Sequence, residues 1–180
     1  EKEFWLFFKA CAFRNDNREH HPSLQSIGKQ IAKALKGFPL AAQSVGALLS
    51  TDVSYEHWTT VRDKWKSLQG YDDDILPILK LSYDYLPVHL QRCFSYCSLF
   101  PEDYQFNGKE LVHAWISQNF VQCKDPTIRL EETGHEYLEK LVDLGFFQMV
   151  NSHYVMHDLM HELAGKVSLN ECATIHGLKP

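Results

Sequence analysis

Apolar residues recur along most of this chain every three to four positions, which is the spacing of amphipathic helices. Polar runs, prolines and glycines separate the periodic segments. The pattern predicts nine helices, at residues 4–13, 23–36, 39–49, 55–68, 75–85, 89–100, 107–120, 130–145 and 158–168. A hairpin with strands at 146–150 and 153–156 is predicted before the last helix. The first helix is apolar on most faces, so we expect it to be buried.

Several residues indicate where these helices begin and end. Gly37 is expected to stop the second helix, and Pro39 to start the third, because the missing N–H of proline costs nothing in the first turn. Together they predict a rigid corner at residues 37–41. Asn107 is a candidate N-cap for the seventh helix, and residues 151–152 are the predicted hairpin turn.

The order of these elements predicts a mainly α fold. Several helices precede a two-stranded ribbon and a final helix, which is typical of a helical subdomain followed by a winged-helix subdomain with a small β-hairpin. The segment at 70–74, where a glycine and three aspartates lie between two apolar segments, is the best candidate for a boundary. The tail from residue 170 is interpreted as a connector.

Composition and charge disfavour some classes of binding partner. The 180 residues are 44% apolar and carry a net charge of −5, which disfavours a nucleic acid or an anionic membrane as the main partner. No apolar run is long enough for a transmembrane segment, and no signal peptide opens the chain. The start lacks a Met and has the pattern of a mid-domain helix, so we expect a fragment of a longer protein.

The five cysteines do not predict a disulfide framework or a zinc ribbon, because their number is odd and no C-x-x-C spacing occurs. Cys93 and Cys97 lie one helical turn apart in an apolar stretch, which indicates small buried residues rather than a redox pair. Free thiols of this kind are typical of a reducing compartment, so the chain is expected to be cytoplasmic.

The junction between the second strand and the last helix holds the most informative side chains. Asp158 is well suited to cap the helix, and removal of its carboxylate would cost about 1 kcal/mol. His157, just before that cap, would be held at a fixed angle, where it could contact a ligand, a metal ion or a neighbouring backbone carbonyl. The residues alone leave these three alternatives open. His161, one turn further on, is expected to be a half-exposed helix residue.

Two other functions are alternatives: a winged-helix interaction or DNA-binding module and, with less support, a zinc hydrolase. A winged-helix module can read DNA with the helix before its hairpin, here 128–145. That helix would repel the duplex, because its charges are Arg129 and Lys140 against Glu131, Glu132, Glu136, Glu139 and Asp143.

A zinc hydrolase is the other alternative, because the run from His157 to His161 is similar to H-E-x-x-H with Asp158 in the place of the glutamate. The shorter aspartate, a first histidine that precedes the helix, and the lack of a clear third ligand all disfavour this interpretation. No metal site is therefore predicted.

Four motifs in order resemble one known family. They are GFPLA at 37–41, LKLSYDYLP at 79–87, CFSYCSLFPED at 93–103 and MHD at 156–158. Together they resemble the C-terminal part of the NB-ARC module of plant intracellular immune receptors, which carry a nucleotide-binding module followed by leucine-rich repeats. The segment at 93–103 is similar to the coiled-coil class of these receptors, and WLFF with AF at 5–13 resembles the end of the nucleotide-binding subdomain.

The resemblance implies a division of the chain. Residues 1–70 would be the end of the nucleotide-binding subdomain and the helical (ARC1) subdomain, 71–170 the winged-helix (ARC2) subdomain, and 171–180 a connector towards a repeat domain. In the family these subdomains clamp ADP in the resting state. Pro39 would then pack on the adenine and His157 would reach the β-phosphate, while Gly37, Leu40 and Asp158 would have structural or switch roles.

The same resemblance implies a regulatory part of an ADP/ATP-dependent switch in plant innate immunity. The partners of this regulatory part would be the P-loop subdomain and the leucine-rich repeats of the parent chain. Active receptors would form an oligomer, and no direct contact with nucleic acid is expected. No G-x-x-x-x-G-K-[ST] loop occurs in the sequence. We therefore expect no enzymatic activity from this fragment and weak or absent binding of ADP or ATP. Phe38 stands where the family usually has leucine, which changes packing rather than chemistry.

Overall fold

The computed structural model describes residues 2–14, 22–68, 75–123, 125 and 127–175, with the backbone alone at 68 and 170–175. This part of the chain is mainly α, as predicted. The elements in order are α1 (Lys2–Phe13), α2 (Pro22–Ala34), α3 (Pro39–Ser50), α4 (Tyr55–Leu68), α5 (Leu76–Asp84), α6 (Val88–Tyr96), a 3-10 turn (Cys97–Leu99), α7 (Gly108–Ser117), α8 (Leu130–Asp143), β1 (Gln148–Val150), β2 (His153–Val155) and α9 (Asp158–Ile175). Two compact units, residues 1–85 and 86–180, contain them.

The first unit is built on the close packing of α1 against α3. A Cβ added to Gly46 on α3 would lie 2.5 Å from the Cβ of Cys11 on α1, so only glycine permits this approach of the two helices. The expectation that α1 is buried on most faces is wrong. Leu6 and Phe7 are 62% and 42% exposed, because within the described ranges α1 packs along the side that carries Phe8 and Ala12.

Trp58 connects α4 to the rest of this unit. Its side chain is fully buried, its Nε1–H donates to the carbonyl of Leu49 at 3.1 Å, and its ring lies 4.8 Å from that of Phe13. The tryptophan therefore satisfies a carbonyl near the end of α3 while it fills the core. Buried indole N–H groups need such a partner, since a lost hydrogen bond inside a core is costly.

The division into units falls after Tyr85, since α5 packs on α3 and α4 within the first unit. The predicted boundary segment at 70–74 lies outside the described residues. The assignment of residues 1–70 and 71–170 to two subdomains of the family therefore stays a prediction.

The second unit is organised around α7 and α8, which pack closely where Gly134 meets Val112. A Cβ at Gly134 would lie 2.5 Å from Cγ1 of Val112. The predicted N-cap of α7 is confirmed, because the side chain of Asn107 accepts hydrogen bonds from the backbone N–H groups of Lys109, at 3.0 Å, and Glu110, at 3.4 Å. The fully buried large side chains of this unit include Trp115, Phe94, Phe146, Phe147, Leu138 and Leu141.

The hairpin forms a small wing. Its antiparallel strands pair Gln148 with Val155, Met149 with Tyr154 and Val150 with His153. The turn residues Asn151 and Ser152 both have positive φ, 49° and 65°, which matches the twist of a two-residue hairpin turn. Phe106 adds an isolated bridge to Tyr154, with two backbone hydrogen bonds of 2.9 Å. The sequence did not predict this bridge, since a single paired residue leaves no periodic pattern.

The last helix is longer than predicted. α9 runs from Asp158 to Ile175, past the expected end at Ser168 and into the segment interpreted as a connector. Across the described ranges, no helix is both long and apolar enough to cross a membrane.

Candidate functional site

The predicted corner at residues 37–41 is present, and its geometry follows from two residues. α2 ends at Ala34, and Gly37 has a φ of +84°, a left-handed conformation that glycine adopts without strain. The N–H of Phe38 then donates to the carbonyl of Leu35 at 3.0 Å, which closes the end of the helix. Lys36, with a φ of +50°, and Gly37 therefore turn the chain together after α2, and Gly37 has the role in this stop that the sequence predicted.

Pro39 is the first residue of α3, and its ring is exposed. Phe38 precedes it in an extended conformation, with φ −75° and ψ 111°, and its carbonyl accepts the N–H of Ala42 at 3.0 Å. Leu40 is only 8% exposed and fixes the start of the helix to the core, whereas Phe38 is 39% exposed. The corner thus presents a flat apolar ring on a backbone that the buried Leu40 holds in place.

The N-cap of α9 is His157, not Asp158. The carbonyl of His157 accepts the N–H groups of Met160, at 2.7 Å, and His161, at 2.9 Å, and its ring Nδ1 accepts the N–H of Leu159 at 3.2 Å. The prediction that Asp158 caps the helix is therefore wrong. Asp158 already lies within the first turn, where its carboxylate is favoured by the positive end of the helix dipole.

This capping bond fixes the state of the imidazole. A ring nitrogen that accepts an N–H must lack a proton, so the neutral ring carries its proton on Nε2. His157 is exposed, and no hydrogen bond of its Nε2 occurs among the described residues. Met156, just before it, is 4% exposed and anchors the end of β2 in the core. The junction therefore presents one fixed N–H donor at a helix N-terminus.

His161, one turn further along α9, has a structural role. Its Nε2 lies 2.7 Å from the carbonyl of Phe100 and donates to it, and its Nδ1 lies 3.9 Å from a carboxylate oxygen of Glu102. Its side chain is 20% exposed, so His161 is a helix residue as predicted but is less exposed than the predicted half. The nitrogen that bonds to Phe100 is not available to a metal ion shared with His157. Among the described residues, no group of three or more metal-ligating side chains occurs.

The two neighbouring cysteines are buried, as predicted. The Sγ of Cys97 donates to the carbonyl of Cys93 at 3.4 Å. Burial raises the pKa of the Cys93 thiol to about 12 and the pKa of Cys97 well above its ordinary value. Both thiols therefore stay protonated at neutral pH, and a thiol is a poor nucleophile and a poor redox group in that state.

The helix before the wing keeps its acidic face in the structure. α8 spans Leu130–Asp143, and Arg129, at its start, forms an ion pair of 2.8 Å with Glu132. One of the two cations of this segment is thus neutralised, while Glu131, Glu136 and Glu139 are exposed. The groove-reading role of a DNA-binding winged helix requires the opposite sign of charge.

The structure brings the predicted site residues together in two places. Gly37, Pro39 and Leu40 form the corner in the first unit, and His157 and Asp158 form the junction in the second. Sequence reasoning missed the capping role of His157. The signal was present in the chain, because a histidine placed just before a helix can accept an N–H through Nδ1.

Comparisons with known proteins bear on the wing and on the whole chain. Residues 99–164 match the family described as the winged helix domain of disease resistance proteins. A putative disease resistance protein of Arabidopsis thaliana is 39% identical over 175 residues, which is 95% of this chain and 12% of that protein. Disease resistance protein RGA2 of Solanum bulbocastanum is 36% identical over 171 residues, 91% of this chain and 17% of that protein.

The helices around the β1–β2 wing therefore define a winged-helix domain. The chain belongs to the family of plant NB-ARC disease-resistance proteins, as its four motifs predicted. It spans between 12% and 17% of the length of these relatives, so it corresponds to a limited part of such a protein.

Proposed function

We propose that this chain is the regulatory part of an ADP/ATP-dependent switch in a plant immune receptor. The observation that carries the proposal is the geometry of His157. Its Nδ1 is occupied by the N–H of Leu159, so its exposed Nε2–H is the atom that can donate to a phosphate oxygen. A hydrogen bond to a charged oxygen is stronger than one between neutral groups, and the N-terminus of α9 favours the same anion.

Pro39 supports the proposal from the other unit. An exposed proline ring offers an apolar face without a donor that would have to be desolvated, and Leu40 and Gly37 fix its position. Such a face suits the flat surface of an adenine base. In the proposed resting state Pro39 packs on the base of ADP and His157 donates to the β-phosphate, while the P-loop subdomain of the parent chain holds the rest of the nucleotide.

The switch follows from contacts that differ between the two nucleotide states. A ligand shifts a conformational equilibrium only by its difference in affinity for the two conformations. We assign part of that difference to His157, whose contact with ADP would be lost on exchange for ATP. The winged-helix unit would then be released, and the receptor would assemble into a signalling oligomer. This fragment itself would be a non-catalytic, cytoplasmic element of that machine.

The test is the nucleotide content of the purified full-length receptor. His157→Ala removes the donor, so we expect it to retain less ADP than the wild-type receptor and to favour the active state. Bound nucleotide is released by denaturation and separated by chromatography, and ADP is counted per mole of protein. An equal ADP content in the two proteins would contradict the proposed role of His157.

A further inference from the structure

A second feature lies in the first unit, beside the corner that carries Pro39, since Gly37 is part of its lining. It is a pocket of about 660 Å³, which lies within the range of about 300–1,000 Å³ that small-molecule sites occupy. Its described lining contains four lysines, two aromatic side chains, Ala32 and Gly37. The lysines and aromatic residues are Lys2, Lys29, Lys33, Lys36, Phe4 and Trp5. We call this feature the lysine pocket.

The charge of the lysine pocket contrasts with that of the chain. The protein as a whole has a net charge of −5, yet no carboxylate is among the described residues that line this pocket. On α2, Lys29 and Lys33 are four residues apart, a spacing at which like charges destabilise a helix. Within the described ranges, neither of them nor Lys2 forms an ion pair. An anion in the pocket would relieve this repulsion.

A helix dipole explains only part of the cluster. Lys33 lies in the last turn of α2, where a cation is favourable whatever else the residue does. Lys2 reaches the same pocket from α1. The dipole of α2 therefore does not account for the presence of Lys2 in the cluster.

The wall of the pocket is held in place by Trp5. A Cβ added to Gly28 would lie 3.2 Å from the Trp5 ring, so the indole packs against the backbone of α2. The Nζ atom of Lys29 lies 5.8 Å from the centroid of the same ring, a cation–π contact that directs this lysine along the wall. The aromatic wall of the pocket is thus packed between two helices, while the four lysines at its mouth are exposed.

We propose that the lysine pocket binds a small molecule with at least three clustered phosphate groups. Lysines bind phosphate as point charges, so several of them around one cavity favour an anion whose charges are close together. A nucleoside triphosphate and an inorganic polyphosphate share this chemistry. ADP, with two phosphates, would bind more weakly.

The experiment is a calorimetric titration of the 180-residue chain with tripolyphosphate at low ionic strength. The wild-type chain should bind with a Kd of roughly 100 μM, and Lys29→Gln/Lys33→Gln should weaken the affinity about tenfold. Lys66→Gln, which neutralises an exposed lysine of α4 outside the pocket, should leave the Kd unchanged. Added salt should weaken binding to the wild-type chain, because exposed charges are screened.

Three results would overturn the proposal. They are no heat of binding to the wild-type chain, an unchanged Kd in the double variant, and a loss in Lys66→Gln as large as that in the double variant. A third variant, Lys2→Gln, is titrated in the same way. The circular dichroism spectrum of each variant shows whether a loss of binding results from a loss of folding. Lys2→Gln should weaken binding with an unchanged spectrum, and an unchanged Kd would count against the pocket.

A titration with ATP distinguishes a site for a nucleoside triphosphate from a site for inorganic polyphosphate. ATP should bind as tightly as tripolyphosphate if the phosphates alone are recognised, and more tightly if Phe4 and Trp5 also hold the base. ADP binding that survives Lys29→Gln/Lys33→Gln would instead concern the corner and junction site, so the two proposals fail separately.

Discussion

The ring Nδ1 of His157 accepts the backbone N–H of Leu159 at 3.2 Å, so one histidine both begins α9 and sets the direction of its own Nε2–H. The bond requires an unprotonated Nδ1 and therefore the tautomer with its proton on Nε2. The first turn of the helix and the donor to the proposed phosphate are thus coupled through one side chain. A change that frees the ring also leaves an N–H of the helix without its partner.

The capping role predicts a separable effect on stability. His157→Ala in the 180-residue chain should lower the free energy of unfolding by about 1 kcal/mol, because the N–H of Leu159 loses its acceptor. His157→Ser should leave stability close to that of the wild type, since a serine hydroxyl at this position can accept the same N–H. Urea denaturation followed by circular dichroism measures both. Equal losses in the two variants would show that the hydrogen bond contributes nothing.

The close approach of α1 and α3 predicts opposite signs for two glycine substitutions. Gly46→Ala should destabilise the chain by about 1–3 kcal/mol, because the new Cβ meets the Cβ of Cys11, an atom that cannot rotate away. Gly165→Ala lies in α9 with open space around it and should stabilise the chain by about 0.5–1 kcal/mol through helix propensity. Thermal unfolding of both variants is the measurement, and a gain in Gly46→Ala would contradict this packing.

The raised pKa values of the buried cysteines predict their reactivity. A variant that keeps only Cys93 and Cys97 should react with a thiol-specific disulfide reagent only after unfolding. The pKa of Cys93 is raised to about 12, so its thiolate is scarce at pH 8 and increases as the pH approaches that value.

The matched control keeps only Cys123, which is half-buried, and should react while the chain is folded. Absorbance of the released thiolate measures both rates. Fast labelling of the Cys93 and Cys97 variant at pH 8 under native conditions would show that these thiols are accessible.

Much of the fold could be predicted because its signals are local. The glycine and proline at 37 and 39 specify φ and the start of a helix, and Asn107 carries its capping oxygen in its own side chain. These features depend on neighbours within four residues, so a single sequence contains them. The hairpin is similar, since its alternation and turn residues are contiguous.

The features that could not be predicted depend on partners distant in the sequence. The exposure of Leu6 follows from which side of α1 meets α3, and the bridge of Phe106 follows from the position of Tyr154. The lysine pocket needs Lys2 and Lys33, from two helices, to converge. The cap of α9 is a different case. Asp158 has the stronger general preference for the cap, but the helix begins at that residue and leaves the capping position to His157.

The release of ADP from the full-length receptor tests the central claim most directly. His157→Ser keeps a capping oxygen for α9 and removes the Nε2–H, so it isolates the contact with the phosphate from the stability of the helix. His113→Ser, at an exposed position of α7, is the matched control. We predict that ADP dissociates at least about tenfold faster from His157→Ser, as expected for loss of one hydrogen bond to a charged group, and at the wild-type rate from His113→Ser. A wild-type rate in His157→Ser would contradict the assignment of His157 as the residue that senses the bound nucleotide.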